Sequence, residues 1–235
     1  VFYHQVDNPL VRICDPEFLG FHVLNHAQAS TKVVAKRNPQ EPMGAVVRIG
    51  QQTTIIEYSD LPESLADRRD ENGQPVFWAG STAVHVFDRS FLEHMATNPQ
   101  GLPFHSARKK VGHLTPDEQW IAPQDLQQPN AIKFERFIFD VLAQAEIALL
   151  VEADRRQEFS PVKNADGADC PATARAAMLA RDAEWIRSSG CQLDADAQVE
   201  ISPLYALDAQ DVAGQLFAGM QLGGRIYLNA DLESE

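Results

Sequence analysis

The chain opens "VFYHQVDNPLVRICDPEFLGFHVLNH", and this stretch limits the possible folds more than any other. An aromatic and β-branched run reads as a strand over 1–6. Asp7 interrupts it, Asn8-Pro9 bends the chain away, and a helix start follows within a few residues. Asp15 suits the N-cap, Pro16 the first turn and Glu17 the positive end of the helix dipole, so a helix is expected over 15–29. Strand candidates then recur as "TKVVAKR", "GAVVRI", "TTIIEYS" and "VFWAGSTAVHVF". Strands mixed with helices in this way favour an α/β sheet domain.

Farther on, "SFLEHMA" reads as a short helix, and the Pro-, Gly- and Gln-rich stretch up to "QQPN" as irregular chain. From Ala131 the spacing of Phe134, Phe137, Ile138, Val141, Leu142, Ala145 and Leu149 predicts one long helix with a single apolar stripe. "FSPVKNADGADCP" is a loop by composition, and "TARAAMLARDAEWIRSSG" a helix capped by Thr173 and closed by Gly190. "VEISPLYAL" and "GRIYLN" return to short strands. The expected organisation is a sheet domain over 1–190 and a small β-rich tail over 191–235.

Composition narrows the partners. A formal net charge of −13 offers no basic field for a nucleic-acid backbone, although a nucleotide needs only a few local cations or a metal. No run approaches the eighteen or so apolar residues of a membrane span. Cys14, Cys170 and Cys191 are scattered without CxxC spacing, which suits reduced thiols and a cytoplasmic location.

Several residues are candidates for chemistry, each with a plainer alternative. A carboxylate beyond a strand end, as at Asp7, can hold Mg²⁺ while phosphates fill its other positions; otherwise it accepts backbone N–H bonds in a turn. Glu57 and Tyr58 close a strand and suit sugar hydroxyls, or are a solvent-facing Glu beside a packed Tyr. Lys133 falls at the start of the expected long helix, where a cation is unfavourable unless an anion joins it. Lys163 sits in an aperiodic loop, a common place for function and for ordinary solvated lysines alike. His22 and His26 lack the Glu of HExxH, and "GMQLGG" lacks the GKS/T ending of a phosphate loop and reads as a hairpin turn. No Ser-His-Asp or Cys-His arrangement is evident.

Taken in order, "VDNPLV…DPEFLGFH", "KVVAKRNPQEPMGAVV", "IEYSDLP", "FWAGS..VHVF", "LPFHSARKKV", "PNAIKFERFIFDVL" and "EFSPVKNADGADCPATAR" resemble the UDP-N-acetylhexosamine pyrophosphorylases and related UTP–sugar-1-phosphate uridylyltransferases. The likeness runs from about Val1 to Arg175, with a weaker echo at "EISPL". It implies a Rossmann-like, GT-A-like nucleotidyltransferase with a mixed sheet flanked by helices, transferring UMP from UTP to a hexosamine 1-phosphate and yielding a UDP-sugar and pyrophosphate. By the same resemblance Asp7 lies at the UTP phosphates and Mg²⁺, and Lys133 contacts UTP. Glu57 and Tyr58 contact the sugar, Lys163 serves the sugar-phosphate side, and Gly44 lets the sugar approach the backbone. Lys133 and Lys163 are then the catalytic cations, offsetting the repulsion of two anionic reactants with no need for a nucleophile or general base.

Two departures from the family pattern shape the expectation. Ser81 stands where an asparagine is usual, so a shorter hydroxyl faces the sugar and a non-acetylated hexose 1-phosphate is an alternative substrate. The family's Gly-rich nucleotide loop lies upstream of its VDN motif and is not in these 235 residues. The chain is therefore expected to supply the metal acid and the sugar side and to be inactive alone. A non-catalytic sugar-nucleotide-binding module is the alternative of another class. The oligomeric state is left open.

Overall fold

The computed structural model describes residues 1–230; the last five residues of the expected 191–235 tail lie outside them. β1 (Phe2–Tyr3) is only a stub of the expected opening strand, and the chain turns at Asp7 into α1 (Pro16–Leu24). Asp15 caps α1 by accepting from the Glu17 amide at 3.2 Å. The helix stops short of the expected 29 because Ala29 already belongs to β2 (Ala29–Ala35). β3 (Ala45–Ile49) and β4 (Gln52–Ile56) form a hairpin through Gly50, whose φ of +62° suits glycine. A single turn, α2 (Glu63–Ala66), then leads to the long β5 (Ala79–Phe87) and α3 (Arg89–Ala96).

The expected irregular stretch after α3 is instead a two-part antiparallel arm. β6 (His105–Lys109), β7 (His113–Leu114), β8 (Trp120–Ile121) and β9 (Ala131–Glu135) pair as β6–β9 near its root and β7–β8 near its tip. The long helix predicted from Ala131 is not formed. Its first residues are β9, residues Ile138–Gln144 form a 3-10 helix, and Ala148–Glu152 are β10. The apolar spacing was real, since Val141, Leu142 and Ala145 are buried, but Phe134 points to solvent at 63% exposure. Cross-strand pairing with β6 overrides the helical pattern there.

After β10 come a single turn, α4 (Arg155–Glu158), and α5 (Pro171–Ser188). Cys170, rather than Thr173, is the α5 N-cap residue; Thr173 sits three residues inside, and its hydroxyl accepts from the Cys170 amide at 2.9 Å. Gly190 follows the helix at φ +86°, as expected of a helix-closing glycine. The tail comprises β11 (Gln192–Leu193), β12 (Gln198–Ile201), α6 (Ala209–Gln215), β13 (Gln221–Leu222) and β14 (Arg225–Leu228). β11 pairs with β13 and β12 with β14, both parallel, so "GMQLGG" is not the hairpin turn its glycines suggested. The ends of α5 and these elements share a core containing Ile186, Val199, Val212 and Leu228.

The main sheet runs β10-β2-β5-β3-β4, and β1 also pairs with β5. β10 is parallel to β2 and the other pairings are antiparallel, so the sheet is mixed. One face packs Val33, Val46, Phe87 and Phe91 against Val141 and Leu142 of the 3-10 segment, and the other packs Val84 and Val86 against Phe18 of α1. Each such large side chain contributes about 1.5–3 kcal/mol by leaving water. The architecture is thus the mixed α/β sheet with flanking helices that the resemblance implied.

One feature of β5 positions the site. β2 occupies one edge of β5, while β1 and β3 share the other: β1 at His85 and Val86, β3 at Gly80. Between them, Thr82–Val84 stand opposite the single residue Lys32, a bulge in which Ala83 takes φ +56°. The sheet therefore opens where β1 ends and β3 begins.

Candidate active site

A cavity of about 610 Å³ lies over this opening, lined by Asp7, Gly44, Glu57, Tyr58, Ser81 and Lys163 together with Tyr3, Thr82, Ala83, His85, Phe137, Phe139 and Asp169. Six sequence candidates from separate stretches of the chain thus meet at one place.

Asn8 explains how Asp7 reaches Lys163. Asn8 is buried; its amide donates to the Glu158 carbonyl at 2.7 Å, and its side-chain oxygen accepts from the Ser160 amide at 3.0 Å. Next to it, the Val162 amide donates to the Asp7 carbonyl at 2.8 Å. The turn after β1 and the loop after α4 are stitched together, and the Lys163 ammonium ion-pairs with the Asp7 carboxylate and reaches Gln5 Oε1 at 3.3 Å. Sequence reasoning treated Asn8 only as half of a chain-bending step. A buried asparagine satisfying two backbone groups is what turns that bend into a fixed joint.

Gly44 immediately precedes β3, and its carbonyl accepts from the Ser81 amide at 2.8 Å. A Cβ here would lie 2.6 Å from Ile55 Cγ2 and 3.2 Å from Glu57 Oε1, so only glycine fits without displacement. Glu57 and Tyr58 follow the end of β4, as the strand-end reading expected. Burial is the first cause that pushes the Glu57 carboxyl above its ordinary value; Asp60 and Asp140 add to the rise, while His105 and Lys163 oppose it. Ser81 accepts from the Ala83 amide at 3.2 Å within the bulge.

Phe137 and Phe139 form an apolar wall, stacked at 4.9 Å between ring centroids and 12° between planes. On an ideal helix they would diverge; the extended Phe137 that precedes the 3-10 turn lets both rings reach the cavity. His85 lines the cavity yet is fully buried, between the rings of Tyr3 and Phe87 at 5.7 and 5.6 Å. Burial lowers its pKa to about 4, so the ring is neutral at physiological pH.

Lys133 is not among the cavity-lining residues. It sits on β9 of the arm, more than half exposed, and pairs with Glu135 at 2.7 Å; no helix N-terminus exists there to explain it. Among the described residues no cluster of three or more His, Cys, Asp or Glu side chains could enclose a metal. Asp7 alone suits a cation such as Mg²⁺ that takes one or two protein carboxylates and completes its shell with phosphates and water. No helix among the described residues is long and apolar enough to cross a membrane.

Comparison with known proteins shows what the chain is similar to. The family described as UTP–glucose-1-phosphate uridylyltransferase matches residues 1–212. A UDP-N-acetylhexosamine pyrophosphorylase-like protein 1 of Xenopus tropicalis is 39% identical over 194 residues, 81% of this chain and 37% of that protein. The human protein of the same name is 38% identical over 83% of this chain and 39% of its own length. The Saccharomyces cerevisiae UDP-N-acetylglucosamine pyrophosphorylase is 32% identical over 86% of this chain and 43% of its own. A crystal structure from Entamoeba histolytica, provisionally named a UDP-N-acetylglucosamine pyrophosphorylase, superposes with a TM-score of 0.84 at 26% identity, covering 97% of this chain and 57% of that one. The chain spans less than half the length of these curated relatives.

Proposed function

Because the chain belongs to the UTP–glucose-1-phosphate uridylyltransferase family, we propose that it forms the sugar-phosphate side of an enzyme that joins UTP to N-acetylhexosamine 1-phosphate, giving a UDP-sugar and pyrophosphate. The observation that carries this reading is the meeting of Asp7, Gly44, Glu57, Tyr58, Ser81 and Lys163 at one cavity. In it, Glu57 and Tyr58 hold sugar hydroxyls, and Gly44 leaves the backbone open to the ring. Phe137 and Phe139 suit the methyl of an acetamido group, because a stacked apolar wall rewards burial of such a group.

Lys163 neutralises the phosphate as it attacks the α-phosphorus of UTP. The protein's part in such a transfer is positioning and electrostatic stabilisation rather than covalent chemistry. Asp7 would hold Mg²⁺, which when bound offsets phosphate charge. Lys133, on the arm, would meet UTP only from outside this cavity. The free state of all three cysteines suits a cytoplasmic enzyme.

Ser81 favours a second substrate. Its hydroxyl is short and already accepts from Ala83, so a non-acetylated hexose 1-phosphate would lose little there. Pyrophosphate release, measured on a polypeptide containing both halves with N-acetylglucosamine 1-phosphate and glucose 1-phosphate in parallel, separates the two. A clear preference for the acetylated sugar is expected; preference for plain hexose discards the N-acetyl assignment. No release with either sugar discards the enzyme and leaves the binding module.

A further inference from the structure

His105 lies just behind the cavity and is used by nothing above. It is the first residue of β6, at the root of the arm, and its strand partner is Glu135. Two residues past Glu135 the chain reaches Phe137, so the arm's closure brings the imidazole back beside the aromatic wall. The ring centroid of His105 is 4.8 Å from Phe137 and 6.4 Å from Phe139. Each ring nitrogen faces a carboxylate from a different element. Nε2 is 3.0 Å from Asp140 Oδ2, on the 3-10 segment that carries Phe139, and Nδ1 is 3.7 Å from Asp60 Oδ2. Asp60 belongs to the turn that presents Glu57 and Tyr58, and its amide donates to the Glu57 carbonyl at 2.9 Å.

We propose that His105 is a positioning residue for the sugar: it clamps the turn bearing Glu57 to the segment bearing Phe137 and Phe139, and so fixes the two sides of the sugar pocket at one separation. This rests on the function proposed above. The physical need for a clamp is electrostatic. Glu57, Asp60 and Asp140 gather around the imidazole, and they repel one another. Without a donor between them, the two carboxylate-bearing segments would move apart, and Glu57 and the aromatic wall would no longer meet the same ligand. A displacement of about 1 Å in positioning groups is enough to lose much of their effect. Asp140 is one-tenth exposed, so its hydrogen bond to His105 is shielded from water and stronger than a surface pair. His105, Asp60 and Asp140 are not cavity-lining themselves, which is why the assignment is to positioning rather than contact.

The test is an NMR titration of the chain with N-acetylglucosamine 1-phosphate, followed at the amides of Gly44, Ser81 and Lys163. It is run on the wild type and on His105→Phe, His105→Gln and Asp140→Ala, with inorganic phosphate as a second probe. His105→Phe keeps the ring contact with Phe137 and removes the ring nitrogens that face Asp140 and Asp60. It should weaken the sugar phosphate by about 10-fold or more, the scale of a lost hydrogen bond to a charged group. His105→Gln, which retains a donor toward Asp140, should recover most of that loss. Inorganic phosphate, meeting Lys163 alone, should bind all variants alike, a pattern that general loosening of the fold would not give. Equal sugar-phosphate affinity in wild type and His105→Phe overturns the inference, as does an equal loss for both probes. If His105→Phe does not fold, Asp140→Ala, which removes the acceptor, takes its place in the comparison: weakened sugar phosphate with unchanged phosphate supports the clamp, and wild-type affinity overturns it. A wild type that binds phosphate but never the sugar phosphate overturns the proposed function itself, and is distinguished by that failure in the unmutated chain.

Discussion

Lys163 and Asp7 form an ion pair across the mouth of the cavity, although the loop and the turn that carry them lie at opposite ends of the sheet domain's sequence. The joint made by Asn8 and the 158–162 segment holds them there, so the pair belongs to the framework and does not depend on two flexible side chains meeting by chance. On the proposed function, such a pair would offer a preplaced ammonium to an incoming phosphate. Lys163→Ala, in a polypeptide carrying both halves, should lower turnover by about 10²–10³-fold, the range for removing a preorganised charge donor. Steady-state pyrophosphate release measures it, and near-normal turnover would reduce Lys163 to a structural partner of Asp7. Asp7→Asn should raise the Mg²⁺ concentration needed for half-maximal rate or abolish activity, and an unchanged Mg²⁺ titration would remove Asp7 from the metal.

Glu57 makes a prediction about stability as well as binding. Its carboxyl is held above the ordinary 4.5, first by burial and then by Asp60. The folded state therefore binds its proton more tightly than the unfolded state. The favourable contribution is complete below about pH 4.5 and is lost as pH rises through the folded value. Glu57→Gln cannot ionise, so its melting temperature should exceed that of wild type at pH 7, and the difference should shrink as the pH falls toward 4. Thermal melts at a series of pH values check this. The same variant should bind the sugar phosphate more weakly, because a neutral amide is the poorer partner for hydroxyl donors.

His85 works with the opposite sign. Its pKa is lowered from 6.5 to about 4 by burial, so the unfolded chain takes up a proton that the folded chain refuses. Stability from this group is present above pH 6.5 and is lost as pH falls through about 4, a change on the order of 3 kcal/mol over that window. Urea unfolding of His85→Phe and wild type at pH 7 and pH 4.5 isolates the effect. The variant should lose less stability on acidification than wild type. At pH 7 it should be little destabilised, since among the described residues neither ring nitrogen has a hydrogen-bond partner to forfeit. Parallel acid sensitivity in the two proteins would mean that His85 does not titrate in this window.

The legible part of this molecule was whatever local chemistry decides. Asp15, Pro16 and Glu17 announce a helix start, and β-branched runs announce β2, β3 and β4, because caps and strand propensity act over a few residues. Six of the residues singled out from the ordered motifs line one cavity. The arm was illegible because β6 and β9 are far apart in sequence and their pairing leaves no local signal; the same pairing made a strand of the predicted helix and took Lys133 out of the cavity. The stacked pair Phe137 and Phe139 depends on the extended backbone at Phe137, which a helix would not give. Asn8, His105 and Asp140 bond to partners distant in sequence, so a polar residue in a turn or strand gave no sign of those contacts.

A crystal structure of the chain soaked with UDP-N-acetylglucosamine tests the central claim most directly. The account predicts the sugar ring between Glu57 and the Phe137–Phe139 wall, over Gly44, with a phosphate oxygen within hydrogen-bond distance of the Lys163 ammonium. A ligand bound with its sugar elsewhere, and Lys163 still held to Asp7 beside an undisturbed cavity, would contradict it.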